Sequence, residues 1–253
     1  MTFPGADAAA GLEVLAILQA RMSSRRLPGK VLKPILGRPM LAMQIERLRR
    51  CGQIDHLVVA TSLDATDTAI ARLCDAEEVP CYRGSLDDVL DRYYQAARLF
   101  QPSYVVRLTG DCPLADPYLI DELIKFCRDG GYDFVSNAIE RTFPMGLDAA
   151  VLRYSVLEQT WQEATLPAER EHVTPYIRHH PERFKIGSYT NSTNRSHLRW
   201  TVDEPADFSF VNAIYERLYP DNPGFRSDDI YQLLEREPDL LEINREVNQM
   251  NAG

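Results

Sequence analysis

The chain has 253 residues, of which 45% are hydrophobic and 26% are charged, and its formal net charge is −9. This length suits one large α/β domain or two small ones, and the apolar content is sufficient for a real core. The acidic balance argues against a nucleic-acid partner, the apolar runs are too short to span a membrane, and five scattered cysteines favour reduced thiols in a cytoplasmic protein.

Residues 1–12 are rich in small side chains, and we expect a flexible tail there, followed by a single domain over 13–253. From residue 14 onward, strand and helix patterns alternate. Strands are predicted at 14–19, 56–61, 79–83, 104–108 and 132–136, and helices at 39–51, 64–77, 86–100 and 117–128. This alternation favours a largely parallel sheet with ligands at the carboxyl ends of its strands.

The rhythm changes after residue 137. A loop and a strand are predicted over 139–153, helices at 154–164, 169–180, 205–218 and 227–235, strands at 184–189 and 198–202, and a hairpin turn at 191–195. We interpret 139–190 as an insertion on the same domain, for acceptor binding or dimerisation. It carries Phe143, Trp161, Tyr176 and Phe184. Because an apolar insertion needs a partner surface, we expect a homodimer.

The first chemical motif follows the first predicted strand. Six basic residues and no acidic one lie between Arg21 and Arg38, against the acidic background of the chain. A strand that opens into a basic loop containing Ser24 and Gly29 is a natural cradle for a polyphosphate. The loop lacks the spacing of a Walker A motif, and the alternative is a solvated basic loop.

Two carboxylates follow apolar strands. Asp111 lies in the run Arg107-Leu-Thr-Gly-Asp-Cys-Pro-Leu114, and Asp203 lies in Trp200-Thr-Val-Asp-Glu-Pro205. Such strand-end carboxylates opposite a basic loop are typical of Mg²⁺-assisted phosphoryl or nucleotidyl transfer. The alternative for Asp203, as for Asp116 ahead of Pro117, is a helix N-cap.

These motifs, together with Ala20-Arg-x-x-Ser24-x-Arg26-Leu-Pro-Gly-Lys30, resemble those of the cytidylyltransferases that activate acidic sugars. The relatives are the 3-deoxy-manno-octulosonate and acylneuraminate cytidylyltransferases and, most of all, their spore-coat-polysaccharide branch. The resemblance covers residues 14 to about 225. It implies a Rossmann-like nucleotidyltransferase fold, a GT-A-like three-layer α/β sandwich with a mostly parallel sheet. It also implies a homodimer that transfers CMP from CTP to an acidic sugar.

The resemblance assigns roles to particular residues. It implies that Arg21, Ser24, Arg26 and Lys30 hold the CTP phosphates, and that Asp111 and Asp203 hold Mg²⁺. Arg21, Arg26, Lys30 and Asp111 would carry the catalysis. The residues that it places around the nucleotide as a whole also include Gln19, Ala20 and Thr109, with Arg83 and Ser85 near the base and ribose.

This chain departs from its relatives around the substrate. Thr109 and Cys112 stand where the octulosonate enzymes have Gln and Glu, and Met22-Ser23 stand where the sialic-acid enzymes have Gly-Gly. The identity of the sugar is therefore left open. Two other functions are also open. One is a glycosyltransferase with a nucleotide-sugar donor, although no D-x-D pair follows any predicted strand, and the other is a non-catalytic nucleotide-binding protein.

Overall fold

The part of the chain that the structure describes contains nine strands, of two to seven residues each. The computed structural model describes residues 13–250, so the predicted tail at 1–12 lies outside it. The strands are β1 (Val14–Gln19), β2 (Pro34–Ile35), β3 (Arg38–Pro39), β4 (His56–Ser62), β5 (Cys81–Gly84), β6 (Tyr104–Thr109), β7 (Phe134–Ser136), β8 (Ala150–Arg153) and β9 (Ile186–Ser188). The strands β2 and β3 form a small hairpin, and the other seven form one sheet in the order β5-β4-β1-β6-β8-β7-β9.

The central sheet is mostly parallel. Ile17 on β1 is paired with Val58 on β4 and with Arg107 on β6, both in parallel register. Among the seven strands, β8 alone runs antiparallel to its neighbours β6 and β7. The parallel strands end together at one edge, so the loops after β1, β4 and β6 meet there. Each of the five strands predicted before residue 137 is present.

Helices cover both faces of this sheet, which is why its strands are apolar on both sides. The helices are α1 (Met40–Leu48), α2 (Thr68–Ala76), α3 (Val89–Arg98), α4 (Pro117–Asp129), α5 (Tyr154–Glu163), α6 (Pro167–His172), α7 (Pro175–His179), α8 (Pro205–Leu218), α9 (Ser227–Arg236) and α10 (Arg245–Met250). One core lies under α1, α2, α4, α8 and α9, and the other lies under α3, α5 and α7. This is the predicted three-layer α/β architecture. No helix between residues 13 and 250 is long and apolar enough to cross a membrane.

The segment 139–190 is integrated into this architecture. It supplies β8 and β9 to the sheet, and its helix α5 packs on α3. Tyr176 and Phe184 are buried in the core under α3, and Trp161 stacks on Tyr94 with ring centroids 4.2 Å apart. Because the chain buries these aromatic side chains itself, they give no reason for a partner surface. The homodimer and the acceptor-binding role of this segment stay predictions.

The predicted strand at 198–202 and the hairpin turn before it are wrong. Residues 198–202 form one isolated bridge, between Arg199 and Met145, and β9 pairs in parallel with β7 instead of turning back. The apolar pattern there reflects burial of Trp200 in the core. Its backbone passes so close to Gly146 that a Cβ at Gly146 would lie 2.4 Å from the Trp200 carbonyl carbon.

The predicted helix at 169–180 is also wrong, because it is divided into α6 and α7. Val173 has a φ of 68° and a ψ of −49°, and the Thr174 N–H donates to the His172 carbonyl at 2.8 Å. These values describe a γ-turn with positive φ, which is strained for a β-branched residue. Pro175 cannot donate the backbone hydrogen bond that a continuous helix would require.

Candidate active site

A polar cleft of about 360 Å³ opens at the carboxyl ends of β1 and β6. This volume is within the range of small-molecule sites. The cleft contains nine of the eleven residues predicted around the nucleotide and metal, together with neighbours to which the sequence assigned no role. Its walls are formed by Gln19, Ala20, Arg21, Ser24, Arg25, Arg26, Lys30, Val31, Arg107, Thr109, Gly110, Asp111 and Asp203.

The basic loop after β1 is held by backbone and buried-carboxylate contacts. The Met22 N–H donates to Asp67 at 2.7 Å, and the Met22 carbonyl accepts from the Ser24 and Gly29 N–H groups at 2.9 Å each. Gly29 has a φ of 70°, in the region that favours glycine, and it turns the chain into the short helix that begins at Lys30. The loop therefore has a defined shape that presents its side chains to the cleft.

Lys30 lies between the two predicted metal ligands. Lys30 is only 8% exposed. Its Nζ donates to Asp203 Oδ1 at 2.9 Å and lies 3.6 Å from Asp111 Oδ2. The same ammonium donates to the Val202 carbonyl at 2.6 Å. Two carboxylates distant in sequence are thus directed at one cationic centre. Hard oxygen ligands in this arrangement are those that Mg²⁺ prefers.

Asp203 is held by three cations and does not cap α8. Besides Lys30, it contacts Arg26 at 3.1 Å and the buried Arg199 at 3.2 Å. The N-terminus of α8 is served by Asp207, whose carboxylate accepts from the Glu204 N–H at 3.0 Å. Burial acts to raise the pKa of Asp203, but the Lys30 hydrogen bond and the three positive charges lower it below its ordinary value. Asp203 therefore favours its ionised form, and the N-cap alternative is wrong for it.

Asp111 has a different environment at the end of β6. The Thr109 hydroxyl donates to Asp111 Oδ1 at 2.5 Å, and the Cys112 Sγ lies 3.5 Å from the same oxygen. Burial raises the pKa of the Cys112 thiol well above its ordinary value, so the thiol stays neutral. Asp116 is the helix cap in this region, because its carboxylate accepts from the Tyr118 N–H at 2.9 Å. One oxygen of Asp111 thus stays directed at the cleft beside Lys30.

The cleft carries more positive than negative charge. Its walls contain five basic side chains and two carboxylates. Within residues 13–250, the guanidinium groups of Arg21, Arg25 and Arg107 form no ion pair, whereas Arg26 and Lys30 share Asp203. Unpaired guanidinium groups at a concave site favour binding of a multiply charged anion. This excess stands out in a chain whose overall formal charge is −9.

Two predicted residues lie elsewhere. Arg83 donates to the carbonyls of Ser62 at 2.9 Å and Asp64 at 2.8 Å, and Ser85 accepts from the Asp88 N–H at 3.0 Å. Neither residue lines the cleft. The Arg83 guanidinium and the Ser85 hydroxyl instead hold the loops after β4 and β5. Their predicted contact with base and ribose is therefore not part of the geometry of this cleft.

Two residues that shape the site had no role assigned to them from the sequence. Arg107 projects into the cleft from β6, and a charged residue within the apolar run of residues 104–108 was a signal for it. Asp67 is 1% exposed and links the basic loop to the end of β4, where it accepts from the Ser62 N–H at 3.1 Å. No local pattern distinguishes Asp67 from other acidic residues in the first turn of a helix.

Comparisons with known proteins agree with this geometry. A family model described as "Cytidylyltransferase" matches residues 15–240. The spore coat polysaccharide biosynthesis protein SpsF of Bacillus subtilis is 33% identical over 90% of this chain and 96% of its own length. A 3-deoxy-manno-octulosonate cytidylyltransferase of Anaeromyxobacter is 35% identical over 49% of this chain and 50% of its own length. A solved cytidylyltransferase from Leptospira borgpetersenii superimposes with a TM-score of 0.86 at 31% identity, over 90% of this chain and 96% of that one.

Proposed function

The chain belongs to the cytidylyltransferase family of CTP-using nucleotidyltransferases, and from this premise we propose that it transfers CMP from CTP to an acidic sugar, releasing pyrophosphate. The observation that carries the proposal is the cleft itself, where unpaired guanidinium groups and Lys30 face the carboxylates of Asp111 and Asp203. The names of the relatives support the sugar and its use, since one acts on 3-deoxy-manno-octulosonate and another takes part in spore-coat polysaccharide synthesis.

In this proposal the basic loop binds the triphosphate. Arg21, Arg26 and Lys30 hold its β- and γ-phosphates, and Ser24 donates from the same loop. A hydroxyl oxygen of the sugar attacks the α-phosphorus and the hydroxyl proton is released to water. The bond from that phosphorus to the bridging oxygen of the β-phosphate breaks, and its electron pair leaves with the pyrophosphate. The negative charge that develops on the pyrophosphate is stabilised by guanidinium and ammonium groups that are already in place.

Asp111 and Asp203 would hold Mg²⁺. The residues present fit this ion, because both carboxylates already face the single ammonium of Lys30, which occupies the position of a shared cation. When bound, Mg²⁺ would neutralise charge on the phosphate oxygens. Lys30 would then exchange its two carboxylates for the oxygens of the phosphates, so the same residue serves the empty cleft and the loaded one.

The proposal is tested by measuring pyrophosphate release with a panel of nucleoside triphosphates and sugar acids. We expect release from CTP in preference to ATP, GTP and UTP, and the largest thermal stabilisation by CTP with Mg²⁺. Arg21→Gln should reduce the stabilisation by CTP, and Arg72→Gln, which removes an exposed arginine on α2, should not.

Three results would contradict it. Equal stabilisation by purine triphosphates would reject CTP as the nucleotide. Hydrolysis of a nucleotide sugar with no use of free CTP would favour a glycosyltransferase. Nucleotide binding without pyrophosphate release in the presence of any sugar would favour a non-catalytic binding protein.

A further inference from the structure

A second, smaller cavity adjoins the cleft at Arg107. It has a volume of about 150 Å³, and Arg107 lines both cavities. A group bound in the small cavity would therefore lie one side chain away from a group bound in the main cleft. The polar side chains in its walls are those of Arg107, Ser136, Asp148, Thr174 and Arg178.

The floor of the cavity is a row of residues across three neighbouring strands. Ala150 on β8 is paired with Arg107 on β6 and with Ser136 on β7. The small side chain of Ala150 leaves space between its two larger neighbours. The Nε of Arg107 is buried and has no hydrogen-bond partner within residues 13–250. A buried donor without a partner is unfavourable, and a bound acceptor would satisfy it.

The roof is the start of α7, which is placed by the γ-turn at Val173. This turn stores backbone strain in a residue that is fully buried, and the next residue, Thr174, lines the cavity. Such strain persists only where the surroundings hold it, and it is concentrated at functional sites. One turn further along α7, Arg178 reaches the same cavity, and within the described residues its guanidinium forms no ion pair or hydrogen bond.

The charge balance of this cavity is positive. Its one carboxylate, Asp148, is engaged with Arg141 at 2.6 Å. The Ser136 hydroxyl is also engaged, because it donates to the Ala149 carbonyl at 3.0 Å and accepts from the Ala138 N–H at 3.1 Å. The groups left to bind a ligand are the Thr174 hydroxyl and two permanently charged guanidiniums. The guanidiniums are suited to a planar anion with two oxygens.

We propose that this cavity, hereafter the Arg107–Arg178 cavity, binds the carboxylate of the acceptor sugar. The inference rests on the proposed function and deepens it, because it commits the acceptor to a sugar acid with the carboxylate close to the attacking hydroxyl. An acceptor that attacks through a phosphate would place that phosphate in the main cleft. A separate cationic cavity beside the cleft serves an anionic group that does not react.

The test compares ligands that differ in this one group. N-acetylneuraminate and 3-deoxy-manno-octulosonate, their methyl esters, and glucose 1-phosphate are titrated calorimetrically into the full chain saturated with a non-hydrolysable CTP analogue and Mg²⁺. We expect at least one acid to bind, and its ester to bind at least about tenfold more weakly, as expected when a charge-assisted pair is lost. Equal binding of acid and ester, binding of the sugar phosphate alone, or no binding of either acid would overturn the proposal.

Variants test whether the preference for the acid over its ester arises in the Arg107–Arg178 cavity. Arg178→Gln should weaken binding of the acid about tenfold, and raise its KM equally, with the KM for CTP unchanged. Ala150→Leu should have the same selective effect by filling the floor. Arg72→Gln is the control for loss of one exposed arginine. If Arg178→Gln behaves like the control, the cavity is not the carboxylate site. A wild-type chain that releases no pyrophosphate from CTP with any acceptor contradicts the proposed function instead, and the calorimetric titrations still decide the cavity.

Discussion

Replacing Lys30 by methionine tests whether its ammonium occupies the position of a metal ion. Methionine keeps most of the unbranched apolar stem and removes the charge. The variant loses the hydrogen bonds from Nζ to Asp203 Oδ1 at 2.9 Å and to the Val202 carbonyl at 2.6 Å. Asp203 keeps Arg26 and Arg199, so it does not become an unpaired charge.

Two opposite effects are expected from this change. Loss of hydrogen bonds that involve a charged group should lower the free energy of unfolding by about 2–3 kcal/mol. For a chain of this size that corresponds to a fall in Tm of roughly 4–12 °C. Affinity for a divalent ion should rise, because two unit charges about 4 Å apart interact by about 4 kcal/mol at an effective dielectric constant of about 20. Removal of only a third of that repulsion would raise the affinity for the divalent ion about tenfold.

The assay is a calorimetric titration of Mn²⁺ into the nucleotide-free protein, with thermal unfolding measured on the same samples. Lys30→Met should bind Mn²⁺ at least about tenfold more tightly than the wild type, and should be less stable than it. It should also turn over CTP at least about a hundredfold more slowly, since charge on the leaving pyrophosphate is no longer stabilised.

Lys33→Met is the matched control. Lys33 is a lysine of the same segment that lies over the Phe208 ring, at 5.3 Å from its centroid, and does not line the cleft. Lys33→Met should bind Mn²⁺ with the same affinity as the wild type. If Lys30→Met bound Mn²⁺ no more tightly than this control, the two carboxylates would not form the metal site and Lys30 would not compete for it.

Three further outcomes are expected. Asp111→Asn and Asp203→Asn should each lower turnover by about a hundredfold or more while the thermal unfolding profile stays cooperative; near wild-type turnover in a folded variant would exclude that carboxylate as a ligand. The hydrogen bonds from Arg183 and Tyr176 lower the pKa of Glu163 to about 2. Its contribution to stability is therefore present above its ordinary pKa of 4.5 and is lost as the pH falls towards 2. Glu163→Gln should flatten the dependence of stability on pH in this interval, and an unchanged dependence would contradict the pairing. We expect a dimer by light scattering at micromolar concentration, and a monomer would reject the interface predicted at 139–190.

Much of the fold could be predicted from the sequence, because its signals are local. Each buried parallel strand of the first half is a short apolar run, and each helix has an apolar stripe, so both could be recognised without knowing their neighbours. The basic loop and Asp111 could be recognised for the same reason. They lie next to strands whose carboxyl ends must meet at one edge of a parallel sheet.

The sequence could not distinguish burial from strand pairing. Residues 198–202 have the apolar pattern of a strand because Trp200 and Val202 fill the core. Their backbone nevertheless forms one isolated bridge, and the Val202 N–H donates to the Asp111 carbonyl. Periodicity reports which side chains avoid water, and it does not report which backbone groups find partners. The same limit hid the break at Val173, where the apolar pattern continues through a γ-turn.

The site was decided by contacts between distant parts of the chain. Lys30 meets Asp203 across 173 residues of sequence, and Met22 is held by Asp67 across 45. No local pattern encodes these pairs, because each depends on the order in which the strands lie in the sheet. The sequence by itself determined a basic loop, the carboxylate after β6, a second carboxylate after an apolar run, and a family resemblance. The tertiary structure decided that one ammonium lies between the two carboxylates and that Arg107 joins two cavities, since only packing determines which charges share a low-dielectric cleft.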